Sequence, residues 1–200
     1  MRRLPFSCAI LVLASCTSSD PMGPIGETAT DFQYSFADAV GDTLPPSSAG
    51  FQNALDVRGL RVGMTQDSIF VRIEFTSDIS AWSSHVSNSI DGFIDFDFDD
   101  DPATGGPAAT EEFAAVNAQM GVESYISLRD DGQGRVLRRD GLATNWRSMP
   151  VEFGANSFTV RFARADVGET DGVFRVSAMI GGTGRWITDL VPSSGHYRVN

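Results

Sequence analysis

The sequence contains no lysine, only two cysteines and only two histidines, and these shortages exclude several kinds of site. All 15 basic residues are therefore arginines, against 26 aspartates and glutamates, and the formal net charge is −11. An acidic chain of this kind is unsuited to nucleic acid, whose phosphates require a basic surface. Two separated histidines and no spare pair of cysteines do not supply the ligand set of a usual zinc site.

Long hydrophobic runs are also scarce, and the clearest one lies at the N-terminus. Leu4–Ala14 is predominantly apolar, but it is too short to span a membrane as a helix. It follows Arg2 and Arg3 and has the pattern of a signal peptide, which we place at residues 1–15. Removal of that segment would leave 13 arginines against 26 carboxylates, which makes the exported chain still more acidic.

The end of this run, LASC at residues 13–16, resembles the lipobox of bacterial lipoproteins. The resemblance implies that Cys16 carries lipid and anchors the chain to a membrane, with residues 16–30 as a flexible tether rich in Ser, Pro and Gly. Thr17, in place of an aspartate, implies the outer membrane if the cell is Gram-negative. The alternative is an ordinary secretory signal with an incidental cysteine.

Cysteine usage excludes an intramolecular disulfide in the exported domain. Cys8 lies within the predicted signal peptide, and Cys16 is the predicted lipid site. Since no pair of thiols is left, the domain must be stabilised by its hydrophobic core or by a bound metal.

Residues 31–200 have the pattern of a single all-β domain. Short runs of alternating apolar residues are separated by clusters of Gly, Asp, Asn and Ser. The clearest runs, Leu60–Met64 and Ile69–Phe75, predict a hairpin. Eight or nine strands of this kind, with short helical turns at Thr110–Met120 and Arg164–Val167, predict an antiparallel, jelly-roll-like β-sandwich with little helix.

The stretch IDFDFDDDPATGG, at residues 94–106, places a carboxylate at every second position of a predicted strand. Because side chains alternate between the faces of a strand, the apolar residues share one face and the aspartates the other. A hard cation relieves such repulsion, and calcium takes about six to eight oxygen ligands from carboxylates and loop carbonyls. The sequence therefore predicts a structural calcium site. Its expected ligands are Asp95, Asp97, Asp99, Asp101, the Thr104 carbonyl and Glu123.

Two alternatives to a calcium site stay open for the acidic strand. The aspartates could form a solvated sheet edge that blocks pairing with other chains, or they could be neutralised by arginines. Glu111 and Glu112 are alternatives to Glu123 as the later ligand. The stretch is not an EF-hand loop, because from Asp95 the sixth residue is an aspartate instead of a glycine and the twelfth is a glycine instead of a glutamate.

The order of short motifs resembles a β-sandwich domain of secreted bacterial proteins, related to the family-9 carbohydrate-binding module and to DOMON-like domains. The motifs are DAVGD at residues 38–42, the acidic stretch at 94–106, and an Asp-x-x-Pro-x-x-Gly pattern formed by Asp189, Pro192 and Gly195. The resemblance covers residues 32–200 and implies a sandwich that often holds a structural calcium ion. It does not define a ligand, because fold does not imply function.

Tryptophan is the residue type that could bind sugar, because sugar-binding modules stack pyranose faces on exposed aromatic rings. Trp82 lies in a Ser-rich loop and Trp146 in a second predicted loop, and both are predicted ligand-binding residues. Trp186 lies in a predicted strand and is expected in the core; burial is the alternative for all three. These features favour a non-catalytic ligand- or glycan-binding module at the cell envelope. The alternative is a structural or adhesive protein that docks a protein partner.

No pattern in the sequence is typical of catalysis, and we expect no enzymatic activity. Carboxylates on one strand face cannot readily flank a glycosidic bond, and no G-x-S-x-G motif is present. Gly181–Gly184 lies between two predicted strands, without the helix that a phosphate-binding loop requires. A haem-binding redox module, as in some DOMON-related domains, stays an alternative. Its candidate ligands are His85, His196, Met64, Met149 and Met179.

Overall fold

The computed structural model describes residues 32–44, 55–79, 90–114, 116–128, 133–138, 145–168, 171–182 and 186–200. For residues 133–138, 145–147, 182, 186 and 187 only the backbone is described. The strands within these ranges are β1 (Tyr34–Ala37), β2 (Val57–Met64), β3 (Ser68–Phe75), β4 (Asp91–Asp97), β5 (Ser124–Leu128), β6 (Gln133–Arg138), β7 (Asn145–Phe153), β8 (Ser157–Ala163), β9 (Phe174–Gly182), β10 (Trp186–Val191) and β11 (Tyr197–Val199). The helices are α1 (Ala109–Ala114) and α2 (Arg164–Val167).

The strands form two antiparallel sheets that share β7. The first sheet has the order β1-β2-β3-β8-β7, and the second has the order β7-β6-β5-β4-β9, with both β10 and β11 paired to β9. Strand β7 passes from one sheet to the other, because its residues 145–150 pair with β6 and its residues 151–153 pair with β8. Two pairings connect strands that are distant in the chain, β3 with β8 and β4 with β9.

The hydrophobic core lies between the two sheets. Apolar side chains from both sheets enter it, and Val62 of the first sheet and Ile94 of the second are fully buried. The ring of Phe96 in β4 packs edge-on against that of Phe162 in β8, with 5.3 Å between the centroids. These contacts across the two layers confirm the all-β sandwich that the alternation of apolar residues predicts.

Several local predictions are also confirmed. Strands β2 and β3 form the predicted hairpin, and helical turns form at α1 and α2. The described strands number more than eight or nine because β1 and β11 are too short to show a clear alternation. Within the described ranges, no helix is long and apolar enough to cross a membrane.

Other predictions lie outside the described residues. These are the signal peptide at 1–15, Cys16 with the tether at 16–30, Trp82 and His85. Trp146 belongs to β7 instead of a loop, and its side chain is also outside the described part. The lipid anchor and the tryptophan binding sites therefore stay predictions.

Candidate metal centre

The acidic stretch forms β4 and the loop after it, and β4 is a central strand of its sheet. It pairs with β5 on one side and with β9 on the other. Asp95 is 1% exposed and Asp97 is 0% exposed. The interpretation of the aspartates as a solvated sheet edge is therefore wrong.

The aspartate face of β4 is buried because the following chain folds back over it. Residues 107–114, which include α1, and residues 116–122 contribute a small apolar cluster against which Tyr125 of β5 packs. At the start of α1, the Ala109 amide donates a hydrogen bond of 2.7 Å to Asp95 Oδ2. Carboxylates that strand alternation alone would leave in water are thus enclosed by protein.

Three carboxylates meet where β4 ends. One oxygen each of Asp97, Asp99 and Glu123 lie within 4.8 Å of one another. Glu123 reaches the group from the segment before β5, which is the position that the sequence suggested for a later ligand. Two unit charges about 4.8 Å apart repel by about 3.5 kcal/mol at an effective dielectric of about 20. Three of them together therefore require a proton or a cation.

Asp97 is the most deeply enclosed member of this group. Its Oδ2 accepts a hydrogen bond of 3.3 Å from the Gly121 amide, whereas its Oδ1 is buried and has no hydrogen-bond partner. Burial raises the pKa of Asp97 above its usual value, and the charge of Asp99 adds to this, while the Gly121 amide, Arg175 and the Asp100 amide act in the opposite direction. Because an unpartnered buried anion is costly, Oδ1 is the atom of this carboxylate at which a proton or a cation is most stabilising.

Glu123 is held in place by the loop that follows β4. Its Oε2 accepts a hydrogen bond of 2.9 Å from the Phe98 amide, and its Oε1 lies 3.1 Å from the Thr104 hydroxyl. Burial raises the pKa of Glu123, and the charges of Asp99 and Asp97 raise it further. The carboxylate is therefore fixed in an orientation in which its charge is poorly compensated.

The Thr104 hydroxyl lies among three acceptor oxygens. Its Oγ1 is 2.8 Å from Asp99 Oδ2, 3.0 Å from the Asp101 carbonyl oxygen and 3.1 Å from Glu123 Oε1. A hydroxyl carries one hydrogen and can donate it to one of these oxygens. The surroundings of Thr104 are thus rich in acceptors and short of donors, which is the chemistry that a hard cation prefers.

A glycine allows the carbonyl groups of the loop to approach the cluster. A Cβ atom at Gly121 would lie 2.1 Å from the Thr104 carbonyl oxygen and 2.6 Å from that of Asp101. The backbone of Gly121, whose amide contacts Asp97, therefore packs directly against these two carbonyls. The Thr104 carbonyl, which the sequence predicted as a ligand, therefore packs against Gly121, and it is the Thr104 hydroxyl that contacts Asp99 and Glu123 of the group.

Arginine neutralises part of this charge, as one of the alternatives from the sequence predicts. Arg175 of β9 is the register partner of Asp97, and its Nη1 lies 3.4 Å from Asp97 Oδ2. Its Nε pairs with Asp100, which also pairs with Arg198. Arg175 and Arg198 therefore neutralise Asp100 and part of the charge of Asp97. Among the described residues, they form no ion pair with Asp99 or Glu123.

Some predicted ligands have other partners. Asp95 contacts the start of α1, as described above, and lies outside the group of three. The exposed Asp101 accepts a hydrogen bond of 2.9 Å from the Ala103 amide and so closes the turn after β4. The alternative ligand Glu111 accepts a hydrogen bond from the Ala118 amide. The carboxylates that the structure brings together are therefore Asp97, Asp99 and Glu123, and the other predicted ligands lie outside this group.

The residues considered for haem take part in ordinary packing. Met64 and Met149 pack in the main core, and Met179 belongs to a smaller apolar cluster on the outer side of the second sheet. His196 Nδ1 lies 2.8 Å from the carbonyl oxygen of Ala118. No feature of these contacts favours a haem site among the described residues.

Sequence reasoning missed Arg175 and Asp100. A signal for Arg175 was present, because in β9 it lies between Phe174 and Val176, which are fully buried in the core. Alternation therefore places the guanidinium on the same outer face as the aspartates. Its pairing with Asp97 depends on the register of β4 and β9, which the sequence does not define.

Comparison of the chain with protein-family models, with curated proteins and with solved structures finds no match.

Proposed function

We propose that this chain is a non-catalytic β-sandwich that binds calcium where β4 ends. The observation that carries the proposal is the buried Oδ1 of Asp97, which has no hydrogen-bond partner and belongs to a group of three carboxylates. An ion between Asp97, Asp99 and Glu123 would attach the loop after β4 to the segment before β5. The ion would replace the repulsion among the three carboxylates with a link between the two segments.

Calcium suits these ligands better than other common metals do. The available atoms are carboxylate, hydroxyl and carbonyl oxygens from an irregular loop, which calcium accepts at about 2.3–2.6 Å. Zinc and copper prefer nitrogen and sulfur ligands, and the cluster has neither a histidine nor a cysteine. Magnesium requires near-octahedral geometry at about 2.0–2.1 Å and is bound mostly through one or two carboxylates and waters, whereas three carboxylates converge here.

A structural role follows from how the carboxylates are held. Each of the three accepts a hydrogen bond from a backbone amide of the surrounding chain. Asp97 is fully buried and contacts the Gly121 amide, whereas Asp99 is exposed, so the group lies between the interior and the loop surface. Groups fixed in this way are suited to hold an ion between two segments.

Calorimetric titration of the 200-residue chain with CaCl2 tests the proposal. We expect Asp99→Asn to lose one calcium ion per chain, whereas Asp67→Asn, at an exposed position between β2 and β3, binds as wild type does. Affinity should fall as the pH is lowered, and the fall should begin at a higher pH than the titration of ordinary carboxylates, because burial raises the pKa of Asp97 and of Glu123 and lets protons compete with calcium. Unchanged binding by Asp99→Asn would overturn the proposal.

The domain is proposed to lie at the cell envelope, where a lipid on Cys16 and the tether at 16–30 would attach it to a membrane. The proposal rests on the LASC sequence at 13–16. We expect Cys16→Ser to move the chain from the membrane fraction to the soluble fraction of exported protein, as measured by immunoblotting. Equal membrane retention of both proteins would contradict a lipid anchor.

Binding of a glycan or another ligand is the remaining part of the proposal. Trp82 and Trp146 are the predicted contacts. Among the described residues, the exposed aromatic surface is at Phe113 of α1, which is 57% exposed and stacks on Phe93 with 5.7 Å between the ring centroids. This surface is the place in the described structure where a protein partner or a sugar ring would find an aromatic contact.

A glycan array probed with the wild-type chain and with two variants tests this part. We expect alanine at both Trp82 and Trp146 to weaken the binding of a selected glycan by about tenfold or more, since stacking on an aromatic ring contributes on the order of 1 kcal/mol for each ring. Phe113→Ala tests the exposed aromatic surface of α1 separately and should bind normally if the tryptophans make the contact. Loss of binding in Phe113→Ala alone would assign the contact to α1. If the wild type binds no glycan, docking of a protein partner becomes the better proposal.

A further inference from the structure

Four arginines lie on the outer face of the first sheet, the side that points away from the core. We call this surface the arginine face, and its members are Arg58 and Arg61 of β2, Arg72 of β3 and Arg161 of β8. The neighbours Val62, Val71 and Val160 are fully buried in the core, so alternation directs Arg61, Arg72 and Arg161 outwards. Arg58 reaches the same side through its ion pair with Glu74 of β3.

The arginines of three adjacent strands are neighbours on this face. Arg61 is the register partner of Arg72, and Arg161 is the register partner of Phe70, two residues before Arg72. Directly opposite side chains of an antiparallel pair have Cβ atoms about 4.5–5.5 Å apart, and like charges at that distance destabilise a sheet. The first sheet thus concentrates positive charge in a chain whose formal net charge is −11.

Carboxylates balance only part of this positive charge. The Oε1 atom of Glu74 lies 3.0 Å from Arg61 Nε, and its Oε2 atom lies 3.6 Å from Arg58 Nε. On the described outward positions of the first sheet, the other carboxylate is Glu152 of β7. Arg161 forms no ion pair with any described residue. Four arginines against two carboxylates leave this face positive.

Aromatic rings hold two of the guanidinium groups in place over the sheet. The Cζ atom of Arg161 lies 4.9 Å from the centroid of the Phe70 ring, and its Nε lies 3.4 Å from Ser68 Oγ. The Cζ atom of Arg72 lies 4.9 Å from the centroid of the Phe32 ring. Stacking uses the flat side of a guanidinium, whereas its N–H donors lie in the plane and bind an oxyanion through two parallel hydrogen bonds.

The chain enters the domain at this face. Phe32 is the first described residue, and its ring contacts Arg72, after which β1 forms the edge of the first sheet. If Cys16 carries lipid, the 15 residues 17–31 separate the membrane from Phe32. A flexible chain of that length has a root-mean-square end-to-end distance of about 20 Å. Such an anchor would hold the arginine face close to the lipid headgroups.

We propose that the arginine face docks on an anionic phospholipid surface, where its guanidinium groups bind lipid phosphates. The proposal rests on the proposed lipid anchor for the place of the domain, whereas the contact itself depends on the arginines. A group of about four or more basic residues is attracted to anionic lipid. The same surface repels the carboxylates of the rest of the chain. The first sheet therefore faces the membrane, and the centre at the end of β4, on the second sheet, faces away from it.

Co-sedimentation of the 200-residue chain with lipid vesicles tests this contact. We expect stronger partitioning onto vesicles of equal parts phosphatidylglycerol and phosphatidylcholine than onto pure phosphatidylcholine, with a preference that weakens as NaCl is added. Arg161→Gln should lower the partition coefficient on the mixed vesicles by about fivefold. Arg198→Gln removes the same charge from β11 of the second sheet and should lower it by less than about twofold, because charges beyond a Debye length from the lipid are screened.

A third variant separates charge from packing. Arg161→Lys keeps the charge and should lose less binding than Arg161→Gln. Equal losses in these two variants would show that packing over Phe70 is responsible and would overturn the proposal. All variants keep the apolar run Leu4–Ala14, so its own affinity for lipid cancels in the comparison.

Two further results would overturn the proposal. One is equal partitioning of the wild type onto both kinds of vesicle, or an equal loss in Arg161→Gln and Arg198→Gln. The other is a preference of the wild type for polygalacturonate over the mixed vesicles, which would assign the arginine face to an acidic glycan. The chain carries no lipid in this experiment, so its result is independent of the fractionation of Cys16→Ser that tests the anchor.

Discussion

Calcium at about 100 times its dissociation constant is expected to raise the thermal unfolding midpoint of the 200-residue chain by roughly 5–11 °C. Binding to the native state alone stabilises a protein by about 2.7 kcal/mol at that concentration. For a domain of this size, each 1 kcal/mol shifts the midpoint by about 2–4 °C. Relief of the repulsion between carboxylates that are fixed close together contributes to the affinity and so lowers the calcium concentration at which this shift is reached.

Melting curves in CaCl2, in MgCl2 and in a chelator measure this effect. The magnesium sample is the control for general screening, which stabilises any chain with a net charge of −11 as ionic strength rises. We expect calcium to give a higher midpoint than magnesium at equal concentration. Equal midpoints in calcium and in chelator, at equal ionic strength, would contradict calcium-dependent stabilisation.

Asp97→Asn is expected to be at least as stable as the wild type without calcium, but less stable than the wild type with calcium. In chelator, the variant should be at least as stable as the wild type, because an amide removes one buried charge and can donate a hydrogen bond to the carboxylates of Asp99 or Glu123. In calcium at about 100 times Kd, the variant should lack the stabilisation of about 2.7 kcal/mol that an ion at the end of β4 provides. Denaturant unfolding in both conditions gives the two differences directly.

Asp101→Asn is the matched control for this experiment. Asp101 lies in the same loop, but its exposed side chain contacts the Ala103 amide and lies outside the group of three carboxylates. It should keep the full calcium effect. An Asp97→Asn protein that is strongly destabilised in chelator would show that the pairing of Asp97 with Arg175, and no metal ion, is the main contribution of this carboxylate.

Much of the fold follows from alternation in the sequence. Residues Ile94 and Phe96 alternate with aspartates, and they enter the core as a strand requires. The hairpin of β2 and β3 has the same origin, since its two alternating runs are separated by a short polar turn. The convergence of Asp97, Asp99 and Glu123 was also predictable in outline, because a dense run of like charges requires partners from elsewhere in the chain.

The remaining features of the fold and of the candidate site depend on contacts between distant segments, and the alternation of apolar residues does not specify such contacts. The aspartate face of β4 could be read as exposed, because nothing in the strand itself indicates that residues 107–114 and 116–122 cover it. The ion pair of Arg175 with Asp97 requires the register of two strands that are far apart in the chain. A second group of carboxylates consists of Asp38, Asp42 and Asp189, which come from opposite ends of the domain, so their separate motifs gave no sign that they meet.

A crystal structure of the chain grown with CaCl2, with anomalous difference density measured at a long X-ray wavelength, tests the calcium centre most directly. We predict a calcium peak about 2.3–2.6 Å from carboxylate oxygens of Asp97, Asp99 and Glu123, so that Oδ1 of Asp97 gains a ligand. A water molecule or a second arginine contact at that position, with no anomalous peak, would contradict a calcium centre at the end of β4.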